Sequence, residues 1–244
     1  MIDAKKNYVE GASIQDVWRE VMWLCVNQGY DFVVKGGSYV GQIRKQLPFV
    51  TLNITQPWLR PLAPIMPPSL PLPTTDEKIE FYFVKYLMDD IVEKHEQYTY
   101  GSFIKPQLQR VIELLTNSNG NSNQACISVG DRESVHLADP PCLRLIDFKV
   151  VEGRLNMTVF FRSWDLFAGL PENLGGLQLV KEYALSQLQE NMKVEDGGII
   201  AHSSGLHIYE QYFDLVNMMN IEQIEVSSDV MADKISFGNK LDKG

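Results

Sequence analysis

Along "SIQDVWREVMWLCVNQG" the apolar positions Val17, Val21 and Leu24 recur at helical spacing. They follow a Ser13/Asp16 pair that fits a capping box and precede a glycine stop, which predicts an amphipathic helix with Cys25 on its buried face. The period then changes: "DFVVKGGSYVGQIRKQLPFVTLNITQ" is β-rich around a glycine turn, and "PWLRPLAPIMPPSLPLP" holds seven of the twelve prolines. That stretch, 57–73, cannot be helical, because proline removes a donor and blocks the preceding turn. The apolar residues between the prolines predict an ordered surface wrap, and it is the best internal boundary. "DEKIEFYFVKYLMDDIVEKHEQ" predicts a helix, and "PQLQRVIELL" another with Pro106 in its first turn, ended by "TNSNGNSN". "QACISV" predicts a strand. "CLRLIDFKVV" and "RLNMTVFFRS", joined at Glu152-Gly153, predict a β-hairpin. A long helix is expected from about Asn173, read as its N-cap, then a strand "GGIIAHSS" and a helix over "HIYEQYFDLVNMM". No repeat is present. The mixture predicts a sheet packed with helices, α+β or mixed α/β, as one domain over 1–244.

Composition narrows the functions. A net charge of −9 argues against a nucleic-acid polymer as partner, since that affinity comes mainly from Lys and Arg against phosphates. A small anion remains open, because a local group of donors can oppose the global field. Cys25, Cys126 and Cys142 are odd in number and irregularly spaced, so neither a disulfide framework nor a zinc site is encoded. The N-terminus lacks the apolar core of a signal peptide and no apolar stretch approaches membrane-spanning length. A cytoplasmic chain is expected, and the Asn-x-Thr matches at Asn53 and Asn156 are read as chance.

The candidate chemistry centres on Cys142. A hairpin turning at 152–153 sets Cys142 about opposite Arg162, and a guanidinium beside a thiol favours the nucleophilic thiolate. On spacing alone, a core cysteine near a structural arginine fits as well. His207 and Tyr209 follow Gly205, a common place for ligand-facing side chains, although a capped helix start explains them equally. His95, His136 and His202 lack ligand spacing, and glycine-rich phosphate motifs are absent.

Together, Pro141-Cys142, then Arg162, Ser163, Asp165, Gly169, Leu170, Pro171 and Asn173, then His207 and Tyr209 resemble the thymidylate synthase family, in its archaeal-type branch. The match is firm over about 140–210 and weak before it. The resemblance implies a large mixed β-sheet packed with helices, and a methyltransferase converting dUMP to dTMP. Cys142 would add to C6 of the uracil ring. Arg162 would lower the thiol's pKa and bind the nucleotide phosphate, with Ser163 as a second donor. Asp165 would lie near the pterin, and His207 with Tyr209 would hold the ribose 3′-hydroxyl. Asn173 would choose uracil, donating to O4 while accepting from N3–H. Glu80 is the candidate general base, and Tyr100 resembles a tyrosine of the active-site wall.

Several departures accompany the match. The family's two adjacent arginines that reach the other subunit's phosphate are replaced by Asn123 and Gln124, with Lys35, Arg44 and Arg144 as candidate substitutes. Homodimers are usual in the family, and the missing clamp leaves a monomer open. The early phosphate loop is reduced to "KGGS", Leu143 follows the cysteine, Phe161 precedes Arg162, and the sequence ends "FGNKLDKG" without an apolar tail. The changes fall on the phosphate and pterin sides. The implied cosubstrate is thus a methylene-reduced pterin, either 5,10-methylenetetrahydrofolate or a methanopterin-type analogue. A nucleotide hydroxymethylase of dUMP/dCMP type and a non-catalytic nucleotide-binding relative are the alternatives.

Overall fold

In the computed structural model, which describes residues 7–36, 39–94 and 96–219, the capping box forms as expected. The Ser13 hydroxyl accepts from the Asp16 amide, and Asp16 accepts from the Ser13 N–H, at the start of α1 (Ile14–Gln28). Before it runs β1 (Tyr8–Gly11), and after it β2 (Tyr30–Val33), β3 (Ile43–Leu47) and β4 (Val50–Ile54). The proline-rich stretch has no regular structure and wraps the surface, with Leu62, Ala63 and Met66 buried. Arg19 donates to the Ile65 carbonyl and Gln15 accepts from the Ile65 N–H, so the wrap is tied to α1.

Two helical expectations are corrected. The segment from Asp76 is helical as α2 (Asp76–Tyr82), continues as a π-turn over Phe83–Leu87 and ends there, well short of Gln97. α3 (Tyr100–Asn117) begins six residues before Pro106, which lies inside the helix. Thr99 supplies the cap, its hydroxyl accepting from the Ser102 N–H.

β5 (Cys126–Ser128) precedes the hairpin of β6 (Leu143–Val151) and β7 (Arg154–Phe161). Its turn residues Glu152 and Gly153 both have positive φ, as a tight hairpin requires. β8 (Trp164–Asp165) leads into α4 (Gly169–Gln189), followed by β9 (Glu195–Ser203) and β10 (Leu206–Tyr209). His207 and Tyr209 therefore sit on a strand, not on the expected helix, which occupies 213–219.

The strands form two sheets: six in the order β1-β4-β9-β7-β6-β5, and four in the order β2-β3-β10-β8. The fold is thus a mixed α/β one with both parallel and antiparallel pairs. At two places, side by side, a strand of the larger sheet runs directly into one of the smaller: at 162–163 between β7 and β8 and at Ser204-Gly205 between β9 and β10. Ser204 N–H donates to the Phe161 carbonyl and Trp164 N–H to the Gly205 carbonyl, which ties the two crossings together. A Cβ on Gly205 would lie 3.0 Å from the Arg162 carbonyl oxygen, so this close approach favours glycine.

Candidate active site

The junction between the sheets presents the hairpin's end to a cleft of about 650 Å³. Paired residue numbers along β6 and β7 sum to 305 from Val151/Arg154 to Leu145/Phe160, and to 304 at Leu143/Phe161. Arg144 is the extra residue of this β-bulge. An unbroken ladder would have set Cys142 against Ser163 (305 − 142); the bulge sets it against Arg162, whose N–H donates to the Cys142 carbonyl at 2.8 Å. Leu143 and Phe161 turn into the core. Because side chains alternate along a strand, Cys142 and Arg162 turn the other way, and both line the cleft.

Arg162 is held by its own chain. Nε donates to the Pro141 carbonyl at 3.1 Å, and one terminal nitrogen to Pro140 and to Asp139, the latter at 3.3 Å. Its effect on the thiol is correspondingly limited. Burial pushes the Cys142 pKa up, Arg162 pulls it down, Asp139 pushes it up, and the net direction is upward. The expected lowering by Arg162 is therefore present but outweighed, and the thiol is protonated at neutral pH.

Ser163, Asp165, His207 and Tyr209 line the same cleft. Asp165 Oδ2 accepts from the Ala168 and Gly169 amides at 3.0 and 2.8 Å, which starts α4 at Gly169. That corrects the reading of Asn173 as an N-cap: it lies inside α4, and the capping carboxylate comes from β8. His207 is 5% exposed, and its Nδ1 lies 2.9 Å from the Gly205 carbonyl. A carbonyl only accepts, so Nδ1 carries the proton and Nε2 is the acceptor. Burial lowers its pKa to about 4, keeping the ring neutral. Tyr209 is paired in register with Arg44 on β3, whose charge works against the upward push of burial on the phenol's pKa.

Lys35 and Arg44 line this cleft as well, so three cations converge on it despite the negative net charge. The Arg44 guanidinium lies over Phe32, 4.5 Å from the ring centre, and its Nε is buried without a hydrogen-bond partner. Arg144 stands beside Gly130 and does not line the cleft, and Asn123 and Gln124 are exposed. Of "KGGS", Gly37 and Ser38 lie outside the described residues, as do His95 and the C-terminal "FGNKLDKG".

Tyr100 is buried beside the thiol, its hydroxyl accepting from the Leu143 N–H at 3.3 Å. It touches Tyr86 and Tyr98, and Tyr86 in turn stacks on Tyr82 at 5.6 Å. Burial raises the pKa of all four phenols, which are neutral at neutral pH. Glu80, by contrast, is exposed on the outer side of α2 and lines neither this cleft nor the second one described below. The α2 residue that reaches the centre is Tyr82, whose hydroxyl lies close to the Asn173 side chain. Asn173 Oδ1 accepts from the Trp164 indole N–H at 2.9 Å. A helical turn places Tyr82 on the same face as the buried Ile79 and Glu80 on another, and that spacing was the overlooked signal.

A second cleft, of about 770 Å³, opens beyond Tyr82 and is lined by Phe81, Tyr86, Ile91 and Glu172, among others. Trp164 lines the first cleft and Tyr82 the second; Asn173, bonded to the Trp164 indole, lines neither. Among the described residues there is no cluster of His, Cys, Asp and Glu able to hold a metal ion, and no helix long and apolar enough to cross a membrane.

A family model described as "Thymidylate synthase" matches residues 93–232, more than half of the chain. The chain belongs to the thymidylate synthase family. Named relatives are archaeal. A "Putative thymidylate synthase" of Methanothermobacter marburgensis is 34% identical over 142 residues, which cover 56% of this chain and 61% of that protein, less than two thirds of its length. One of Methanosarcina mazei is 25% identical over 216 residues, covering 85% of this chain and 92% of that protein. Among solved structures, the thermostable thymidylate synthase A of Bacillus subtilis shares the fold with a TM-score of 0.63, at 16% identity and covering 85% and 84% of the two chains.

Proposed function

We propose that this chain methylates dUMP to dTMP, with Cys142 as nucleophile toward C6 of the uracil ring. The observation that carries the reading is the convergence of Cys142, Arg162, Ser163, Asp165, His207 and Tyr209 on one cleft, in a chain of this family. Each side chain then has a task its geometry suits. Arg162 and Ser163, joined by Lys35 and Arg44, offer donors to a phosphate, which would displace the exposed Asp139 from Arg162. Neutral His207 presents Nε2 as an acceptor to the ribose 3′-hydroxyl, with Tyr209 beside it. Asn173 pairs with the base.

A methylene-reduced pterin, when bound, supplies the one-carbon unit and the hydride. The second cleft suits its flat ring: Phe81, Tyr82 and Tyr86 offer aromatic faces next to Asn173. Five carboxylates, Glu77, Asp89, Glu93, Glu96 and Glu172, against Lys78 and Lys85 line that cleft. A donor with little negative charge on this side is favoured. Glu80 has no place in this scheme. Of the carboxylates that line the first cleft, Asp165 and Asp139 are the two that could take up a proton there.

The test is release of tritium from C5 of labelled dUMP, which requires the thiol adduct. Release by the wild type and none by Cys142→Ala supports the reading. No release from the wild type with any reduced pterin contradicts it and favours a nucleotide binder, and a hydroxymethylated product identifies a hydroxymethylase.

A further inference from the structure

The Asn173 amide is held through its oxygen. The indole nitrogen of Trp164 donates to Oδ1 at 2.9 Å. An indole N–H can only donate, so the amide oxygen must face it and Nδ2 must face away. On the other side the Tyr82 hydroxyl lies close to the amide.

Trp164 is itself immobilised. Its ring stacks on Phe161 with centres 3.9 Å apart and planes 5° from parallel, and both rings are buried. Its backbone N–H donates to the Gly205 carbonyl at the crossing between the sheets. The direction of the indole N–H is therefore set by the fold.

Beyond the indole bond the Asn173 amide keeps a lone pair on Oδ1 and the hydrogens on Nδ2. They offer one acceptor and one donor in a fixed order, which complements a lactam edge with its C=O beside an N–H. An aminopyrimidine edge presents the reverse order and would need the amide turned by 180°. That turn would aim Nδ2–H at the indole N–H, leaving two buried donors face to face and Oδ1 without its partner.

We propose that Trp164 is a positioning residue for base choice, its indole N–H locking the Asn173 amide in the orientation that accepts a lactam ring and refuses an aminopyrimidine. The proposal rests on the nucleotide reading above. Its new element is that Asn173 alone does not decide the base: the choice is made by a neighbour that need not touch the ring edge.

Trp164→Phe keeps an aromatic ring on Phe161 and removes only the donor. Binding of dUMP and of dCMP is measured calorimetrically for the wild type and this variant, with a melting curve for each. The wild type should prefer dUMP, and the preference should fall about tenfold in Trp164→Phe, the scale of one buried hydrogen bond. A role in packing alone would weaken both nucleotides equally, so an unchanged ratio in a folded variant overturns the proposal. Trp164→Met, bulky and without a donor, serves if Trp164→Phe does not fold, and an unchanged ratio there has the same meaning. A wild type without preference for dUMP overturns the functional reading instead, whereas a wild type that prefers dUMP beside an equally selective variant sinks only the lock.

Discussion

Two charges of opposite sign act on Cys142 from the same ion pair, and this makes the thiol adjustable. Asp139 is exposed and adds to the upward push of burial, while Arg162 works against it. Asp139→Asn should therefore lower the Cys142 pKa and raise the thiolate fraction at neutral pH. Alkylation by iodoacetamide should speed up several-fold, and Arg162→Gln should slow it. Equal rates in all three proteins would show that the pair does not reach the thiol. His207 gives a second prediction. Its folded pKa, about 4, lies below the ordinary value near 6.5, so between these the unfolded chain binds the extra proton. Stability from neutral His207 is complete above about pH 6.5 and is lost as the pH falls toward 4. The loss is on the order of 3 kcal/mol for a shift of this size. His207→Gln should flatten the acid limb of denaturation midpoint against pH over that window, and an unchanged limb would contradict the assignment.

The elements show why some of the site was legible and some was not. The hairpin was readable because turn and alternation are local, but its bulge was not. One extra residue at Arg144 is what faces Cys142 with Arg162, and it leaves Leu143 and Phe161 paired and buried. The start of α4 was misplaced because its capping oxygen comes from Asp165, on a strand that exists only through its pairing with β10. The short β10 was read as helix for the same reason: its strand state depends on β3 and β8, far away in sequence. On α2 the error was one of face, Glu80 for Tyr82. The contact that sets this face is close: a Cβ on Gly175 would come within 2.8 Å of Ile79, and one on Gly176 within 2.7 Å of the Tyr82 ring and 2.9 Å of Leu87. Gly176→Ala should therefore cost about 1–3 kcal/mol by overpacking, despite alanine's better helix propensity. It should also displace Tyr82 from Asn173. Urea denaturation checks this, and a stability equal to or above that of the wild type would mean that α2 does not pack this closely on α4.

At the scale of the whole molecule, the site exists because two strands change sheets side by side. One crossing carries Arg162 and Ser163, the other Gly205, and each continues into a short strand, β8 or β10, that delivers Asp165, His207 and Tyr209 to the same cleft. The motif residues are far apart in sequence, and their order could be matched without knowing why they meet; the junction is the reason. Lys35 and Arg44, two of the three candidate substitutes for the missing clamp, line the cleft, and Arg144 does not. The measurement that bears most directly on the account is the intact mass of the protein after incubation with 5-fluoro-dUMP, alone and with methylene-pterins of different tail charge, for the wild type and Cys142→Ala. The account predicts a pterin-dependent covalent adduct on the wild type, lost in Cys142→Ala. A wild type that forms no adduct with any donor, or an adduct that survives in Cys142→Ala, would contradict the assignment of Cys142 as the nucleophile of a dUMP-methylating centre.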